Sequence, residues 1–460
     1  MKKLGEKCAV FGIYGKGLDV SRLAFFGLYS LQHRGQENSG IATTDGEEIF
    51  CHKGTGLVAQ VFNEKIIQSL PGYIAVGHNR YSTSSGLGIE YAHPIEVSDK
   101  SMTLVHNGNL PSTTLLVNFL KTKGLEFPKA SDSMIITEAI HSIVKKGVPI
   151  EEAIEQIFPL MTGSFSLLIM TKNKLIALRD QFGIRPLSIA KLNGGFVFAS
   201  ETCAFHPIGA NFIRDVNPGE MVVVDESGLK IKQMVKGIQK LDIFEFVYFS
   251  RPDSILLGKS VYDIRKKFGK RLAEEYLIEA DVVIPIPETS IPVAIGYAAA
   301  SGIPFEMGLI KSRYIHRTFI EPEQHIREQG VKLKLAPLKE MIENKRVIVV
   351  DDSIVRGTTS RQIVKMLFET GAKEVHFMIS CPPVKYPDFY GIDLPKQSDL
   401  LASKMNIAEM NKYLGSTSLN FLSYDGMIQS TGLDESLFCT SCFTGKYPID
   451  LRERTDEVTY

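Results

Sequence analysis

The sequence has no net charge: 52 Lys and Arg balance 52 Asp and Glu over 460 residues. No global basic field is there to recruit nucleic acid, and no acidic tail to engage a basic partner. No apolar run reaches the roughly 18–20 residues of a membrane span. The seven residues ahead of Cys8, "MKKLGEK", lack the apolar core of a secretory signal. These absences argue for a cytoplasmic protein with no membrane partner. Cysteine is sparse, with six in all: Cys8, Cys51, Cys203, Cys381, Cys439 and Cys442. Without a secretory signal, they do not read as a disulfide framework. Only Cys439 and Cys442, in "CTSC", have metal-ligand spacing, and one such pair alone is a weak signal. Internal repeats and low-complexity tracts are absent, and no helix-turn-helix is visible.

What is present fits a sizeable globular chain. Hydrophobic residues make up 44% and mean hydropathy is +0.01, as expected of a soluble protein with substantial cores. The length argues for two or three domains. The first half reads as a mixed or antiparallel β protein with helices. "CAVFGIYG", "YIAVGHNR", "MTLVHNG", "SFSLLIMT", "KLIALRD", "GGFVFAS" and "EMVVVDE" are strand-like and separated by turn residues. "SRLAFFGLYSLQHRG" predicts a helix with Leu23, Phe26, Leu28 and Leu31 on one face and Gly35 as its stop. "SDSMIITEAIHSIVKKG" predicts a capped helix. The second half changes rhythm. "ADVVIPIP", "KRVIVVDD" and "KEVHFMIS" alternate with helical "SIPVAIGYAAASG" and "TTSRQIVKMLFETG". Such alternation predicts a parallel α/β sheet. The boundary is expected near residues 235–245.

The sharpest chemical pattern is "VIVVDDSIVRGTTS". An apolar strand ends in Asp351 and Asp352. A turn with Ser353, Gly357, Thr358, Thr359 and Ser360 then opens a helix. Gly357 allows close backbone approach, and the helix N-terminus and hydroxyls offer donors to a phosphate. Two carboxylates would repel that phosphate unless they face ribose hydroxyls or a hydrated Mg2+ on the same ligand. An ordinary capped strand–turn–helix explains one or two of these residues but not the whole string. The string resembles the 5-phosphoribosyl 1-pyrophosphate (PRPP) loop of type I phosphoribosyltransferases. By that resemblance, Ser290 in "VVIPIPETS" takes a metal- and pyrophosphate-side position. "LIKSRYIHRTFIEPEQHIREQGVKLKL" is then a flap whose Lys311, Arg313 and Arg317 bind PRPP and neutralise the leaving group.

Four further clusters stand in the first half: "CAVFGIYG", "LQHRGQENSGI", "GHNRYST" and "VHNGNL", with "SDSMIITEAI" behind them. Taken singly, each has a plain reading: a core cysteine, a helix end at "HRG", a hairpin turn at "HNG". Together they resemble N-terminal-nucleophile glutamine amidotransferases. With the PRPP half behind them, nearly the whole chain resembles the amidophosphoribosyltransferase family. The implied fold is α/β and α+β. A layered αββα Ntn-hydrolase domain (8–238) precedes a parallel-sheet phosphoribosyltransferase domain (239–460), with residues 1–7 as a propeptide. The implied reaction takes ammonia from glutamine to PRPP and yields 5-phosphoribosylamine, glutamate and pyrophosphate. It is the first committed step of purine (IMP) synthesis.

The resemblance also assigns roles. Cys8 attacks the glutamine carboxamide, with its own freed α-amine as base, since an α-amine titrates near roughly 8. Asn107 and Gly108 form the oxyanion hole. Arg34, Gly35, Arg80, Thr83 and Asp132 line the glutamine site. Ser290, Asp351 and Asp352 attend Mg2+. A homotetramer under purine-nucleotide feedback is expected. Many members hold an iron–sulfur (4Fe-4S) cluster on four cysteines. Here two of those positions match Cys439 and Cys442, but the other two fall on Asp242 and Asp388. Such clusters strongly favour thiolates, so the substitutions argue against a cluster, the alternative being a mixed Cys–Asp ligand set. Hydrogen bonds or ion pairs are expected of the two aspartates instead. Two rival readings remain. Another glutamine amidotransferase, such as a glucosamine-phosphate synthase or an asparagine synthetase, would not need the PRPP loop. A non-enzymatic PRPP-sensing regulator would need neither Cys8 nor "HNG".

Overall fold

The computed structural model describes residues 8–81, 88–126, 130–312, 334–392, 394 and 396–459. In the first half, a seven-stranded sheet has Ala9–Tyr14 at its centre, between Gly195–Ala199 and Ile74–Arg80. A second sheet of six strands carries Met102–Ser112 next to its edge, paired with Thr162–Thr171. All pairings within both sheets are antiparallel.

Alternation along each strand builds the layers. Val10 points into a core shared with Val105, Leu168 and Ala177 of the facing sheet. Its neighbour Phe11 points the other way, onto Ala24 and Leu28 of the helix Val20–Ser30. On the far side, helices Asp132–Val144 and Ile150–Ile157 cover Leu104, Leu167 and Ile169. The result is helix, sheet, sheet, helix.

The second half is a four-stranded parallel sheet in the order Val282–Pro285, Arg346–Asp351, Glu374–Ile379, Ser418–Phe421. The first three strands are apolar runs buried along nearly their whole length, as a sheet covered on both faces requires. Helices Val261–Glu275, Ile291–Ser301 and Thr358–Glu369 alternate with them in the chain. The last strand of the antiparallel layers is Gly228–Gln233. Leu241, Ile243 and Phe244 already belong to the core of the second half. Among the described residues, no helix is long and apolar enough to cross a membrane.

One local expectation is corrected, and one plain reading is set aside. The first helix ends at Ser30, and Gln32–Arg34 forms a separate tighter turn before Gly35. Its inward face is Val20, Ala24, Gly27 and Leu28, which leaves Phe26 exposed. "HNG" is no hairpin turn. It lies in the middle of the strand Met102–Ser112, where Asn107 pairs with Ser166 and Gly108 with Phe165.

Candidate active sites

Cys8 stands one residue before the central strand. Ala9 pairs with Asn79, so Cys8 meets the end of Ile74–Arg80. Its half-buried thiol lies 3.7 Å from the carbonyl of Tyr81. Burial pushes the thiol's pKa up, while the Tyr81 contact and the nearby Arg80 charge pull it down. Because the net shift is upward, the sulfur stays protonated near neutrality and needs a base before it can attack.

Asn107 reaches toward the same point from the facing sheet. Its amide Nδ2 lies 3.5 Å from the Ser200 hydroxyl, which accepts a 2.9 Å hydrogen bond from the backbone N–H of Val10. Gly108 follows with φ of +149°, and a Cβ there would sit 2.1 Å from the Ser164 carbonyl oxygen. Only glycine fits that backbone. Asp132 opens the helix Asp132–Val144 and turns back onto the same strand. Its Oδ2 accepts the Leu110 N–H at 3.0 Å and lies 3.8 Å from His106 Nδ1. Arg80 is buried, with its guanidinium 5.7 Å from the centre of the Tyr91 ring. Cys8, Arg80, Asn107, Gly108 and Asp132 thus gather where the two sheets meet.

Gly35 packs against this group, since a Cβ there would come within 2.6 Å of the Asn79 backbone. Arg34 departs from its expected place. Its fully buried guanidinium pairs with Glu201 and with Glu245. Glu201 also meets His33 at 2.7 Å and accepts from the Ser254 hydroxyl at 2.6 Å and the Arg251 N–H at 2.9 Å. Burial alone would raise its pKa, but Arg34 and His33 hold the carboxyl well below the usual range. Sequence reasoning passed over Glu201, Glu245 and Arg185. A charge inside an apolar run, as in "LDIFEFVYFS" or "FGIRPLSIA", was the available signal, because such residues are rarely buried unless paired.

The second site lies at the C-terminal edge of the parallel sheet, the usual ligand edge of such sheets. Tyr248, Asp351, Asp352, Ser353 and residues 355–360 line one cavity. Gly357 takes φ of +73° as the helix Thr358–Glu369 begins. The Ser353 hydroxyl donates to Asp352 Oδ1 at 2.6 Å. Asp351 and Asp352 are largely buried. Ser290 immediately precedes the helix Ile291–Ser301 after the neighbouring strand without capping it, and its buried hydroxyl has no hydrogen-bond partner among the described residues. Lys311 ends the short strand Leu309–Lys311, 3.7 Å from Glu288. Thr83, Arg313, Arg317 and residues 1–7 lie outside the described residues.

The second half of the chain reaches the first site. The Asn109 amide donates to the Phe389 carbonyl at 2.8 Å. Gly391 lies against Gly108 so closely that a Cβ on it would be 3.1 Å from the Gly108 carbonyl carbon.

Comparison with known proteins agrees with this two-site arrangement. Residues 78–207 match the glutamine amidotransferase domain family and residues 253–389 the phosphoribosyl transferase domain family. The chain is 44% identical to an amidophosphoribosyltransferase of Bacillus subtilis over 99% of its own length and 97% of that protein's. The chain belongs to the amidophosphoribosyltransferase family. A Synechocystis member is 48% identical over 96% of this chain and 91% of its own. The solved glutamine PRPP amidotransferase of B. subtilis, complexed with ADP and GMP, superposes with a TM-score of 0.90 at 43% identity, covering 97% of this chain and 98% of that one. Amidophosphoribosyltransferases are transferases that move ammonia from glutamine to PRPP and open purine synthesis, and this chain is an enzyme of that reaction. The membership removes both rival readings.

The residues at the family's iron–sulfur position do not fit a cluster. Asp242 and Cys439 are register partners in a two-residue parallel pairing. Between the aspartates lies the fully buried Arg185, 3.0 Å from Asp242 and 3.7 Å from Asp388. Asp388 Oδ1 also accepts the N–H groups of Tyr390 at 2.9 Å and Ile392 at 2.8 Å. The carboxylates are thus committed to a guanidinium and to backbone donors. Burial, with the aspartates nearby, pushes the Cys439 thiol up to about 12. Among the described residues, no group of three or more His, Cys, Asp or Glu is arranged to hold a metal ion. The carboxylates Asp351 and Asp352 and the buried Ser290 hydroxyl are still of the kind that suits Mg2+, which arrives on phosphates and keeps few protein ligands.

Proposed function

We infer that the chain makes 5-phosphoribosylamine in two coupled steps. Residues 8–238 release ammonia from glutamine, and residues 239–460 place it on the ribose C1 of PRPP. The observation that carries this reading is the presence of two chemically distinct sites in one chain, with the second half reaching the first. Cys8, Asn107, Gly108, Arg80 and Asp132 gather in one, the Asp351–Ser360 turn forms the other, and residues 389–391 touch the first from the second half.

In the first step, removal of residues 1–7 frees the Cys8 amine. That amine takes the thiol proton, and the sulfur adds to the carboxamide carbon of glutamine. The Asn107 amide and the Gly108 N–H meet the oxyanion, and loss of one such donor typically costs about 10²–10³ in rate. Arg80 receives the substrate carboxylate and Asp132 its ammonium, with Thr83 and the Gly35 backbone completing the pocket. Ammonia leaves, and water later frees glutamate from the thioester. Arg34 serves this pocket through Gly35 and Glu245, not by touching glutamine.

In the second step, Ser353 and residues 357–360 hold the 5-phosphate, and Asp351 and Asp352 hold the ribose diol. Lys311, Arg313 and Arg317 receive pyrophosphate. Mg2+ arriving with the diphosphate would be held near Asp351, Asp352 and Ser290 and would supply charge neutralisation to the leaving group. Passing ammonia directly from one site to the other within one chain shields it from protonation in solvent. The ADP and GMP in the B. subtilis structure support purine nucleotides as feedback ligands here. A cytoplasmic homotetramer completes the proposal.

A paired dissociation tests it. Cys8→Ala is expected to abolish glutamine-dependent synthesis and keep ammonia-dependent synthesis. Asp351→Ala or Asp352→Ala is expected to cripple both. Intact mass should place the mature N-terminus at Cys8. Active enzyme that retains residues 1–7, or aspartate variants with near-normal ammonia-dependent turnover, would refute the corresponding half.

A further inference from the structure

Three imidazoles lie behind Asn107, and only one of them belongs to the "HNG" motif. The strand Met102–Ser112 has an edge partner, Ile95–Glu96, that pairs only at Leu104 and Thr103. Extended by two residues, that register would set position 93 opposite His106, but the edge strand begins only at Ile95. The outward N–H and C=O of His106 are therefore buried with no strand to meet them, a costly situation for a backbone. Side chains take the strand's place. The His106 N–H donates to His93 Nδ1 at 3.2 Å, and the His106 carbonyl accepts from His78 Nε2 at 2.9 Å. The two rings stack with centroids 4.2 Å apart.

We propose that His78 and His93 are positioning residues that clamp the His106 backbone from both of its polar groups, and so fix Asn107 and Gly108 for the glutaminase step. The proposal rests on the reading that Asn107 and Gly108 receive the oxyanion. His78 rides the strand Ile74–Arg80 of the first sheet, two residues before Arg80. His106 rides the second sheet, with its ring 3.0 Å from the Ser133 hydroxyl beside Asp132. The clamp therefore ties the oxyanion strand to the elements that carry the glutamine carboxylate and ammonium contacts. Its hydrogen bonds dictate the tautomers. His93 must keep Nδ1 bare to accept, and His78 must carry its proton on Nε2 to donate. Burial lowers the pKa of both rings, which keeps them neutral and the pattern intact. Close packing leaves little slack, since a Cβ on Gly40 would come within 2.1 Å of the His93 carbonyl oxygen.

Amide side chains can imitate each half of the clamp. Asparagine places an acceptor where His93 Nδ1 lies, and glutamine places a donor where His78 Nε2 lies. The test measures glutamine hydrolysis with PRPP present, and ammonia-dependent synthesis, for wild type, Cys8→Ala, His93→Leu, His93→Asn, His78→Leu and His78→Gln. The leucine variants are expected to lose about 10- to 100-fold in glutaminase kcat, the scale of a slightly misplaced reacting group. Their glutamine KM should move far less, and ammonia-dependent synthesis should be unchanged. The asparagine and glutamine variants should recover most of the loss. Leucine variants with wild-type kcat, amide variants no better than leucine, or both activities falling in step would overturn the clamp alone. A wild type without Cys8-dependent glutamine hydrolysis would overturn the reading of the site and the clamp with it.

Discussion

Glu245 is the residue whose removal should be felt furthest. It is fully buried between two fully buried guanidiniums, paired with Arg34 and lying 3.4 Å from Arg185. Its Oε2 also accepts from the Ser250 hydroxyl at 2.7 Å. Arg34 and Arg185 come from the first half of the chain and Glu245 from the core segment of the second, so the carboxylate is an electrostatic bolt between the halves. Glu245→Leu leaves two buried cations short of one counter-charge. Breaking a buried pair on one side costs about 3–5 kcal/mol, whereas replacing both partners by apolar groups is often close to neutral. Arg34→Met with Glu245→Leu should therefore lose at least about 1.5 kcal/mol less than the sum of the single losses, the coupling expected of residues in one ion-pair network. Glu201 keeps its bonds to Ser254, Arg251 and His33 in that double variant. The chain has no tryptophan, so urea unfolding is best followed by circular dichroism. The segment Glu245–Phe249 also carries Tyr248 into the wall of the phosphoribosyl cavity. Glu245→Leu should accordingly lower ammonia-dependent as well as glutamine-dependent synthesis. A single variant within about 1 kcal/mol of wild type, or additive losses in the double, would refute the bolt.

The other predictions concern acid and iron. Burial lowers the His78 pKa to about 3, against roughly 6.5 in an unfolded chain. Below pH ~6.5 the unfolded chain binds a proton that the folded one refuses, so stability falls as pH drops from about 6.5 toward 3. At pH 5 the loss is about 2 kcal/mol, and His78→Gln should flatten that limb in urea midpoints measured between pH 7 and pH 5. An unchanged acid limb would show that His78 protonates freely in the fold. Protein purified without oxygen should carry no stoichiometric iron or acid-labile sulfide, because Arg185 already engages Asp242 and Asp388. Brown protein with four irons per chain, the content of a full 4Fe-4S cluster, would reverse that conclusion.

Much of this protein was legible in one dimension because its chemistry is local. "VVDDSIVRGTTS" contains a complete phosphate turn within consecutive residues, since a strand end, a glycine and a helix N-terminus make such a cradle without help from elsewhere. The change from an antiparallel first half to a parallel second half was legible for a similar reason, as strand and helix periods are local, whereas the four-layer arrangement was implied only by the family resemblance. Cys8, Asn107, Gly108, Arg80 and Asp132 could be named from their motifs, but nothing local brings them together. That was decided by the register of Ala9 on Asn79 and by the stacking of two sheets. The sequence left Arg34 open to a glutamine contact. The structure sends it to Glu201 and Glu245, because a guanidinium buried this deeply requires carboxylates, and those lie 167 and 211 residues away. His93 carried no signal and His78 only its place in "GHNRYST", since their task is to replace a strand that stops short. Asp242 and Asp388 announced only the loss of two thiolates. Arg185 sits between them because burying two carboxylates together demands a cation, and only tertiary structure could say which one the chain supplies.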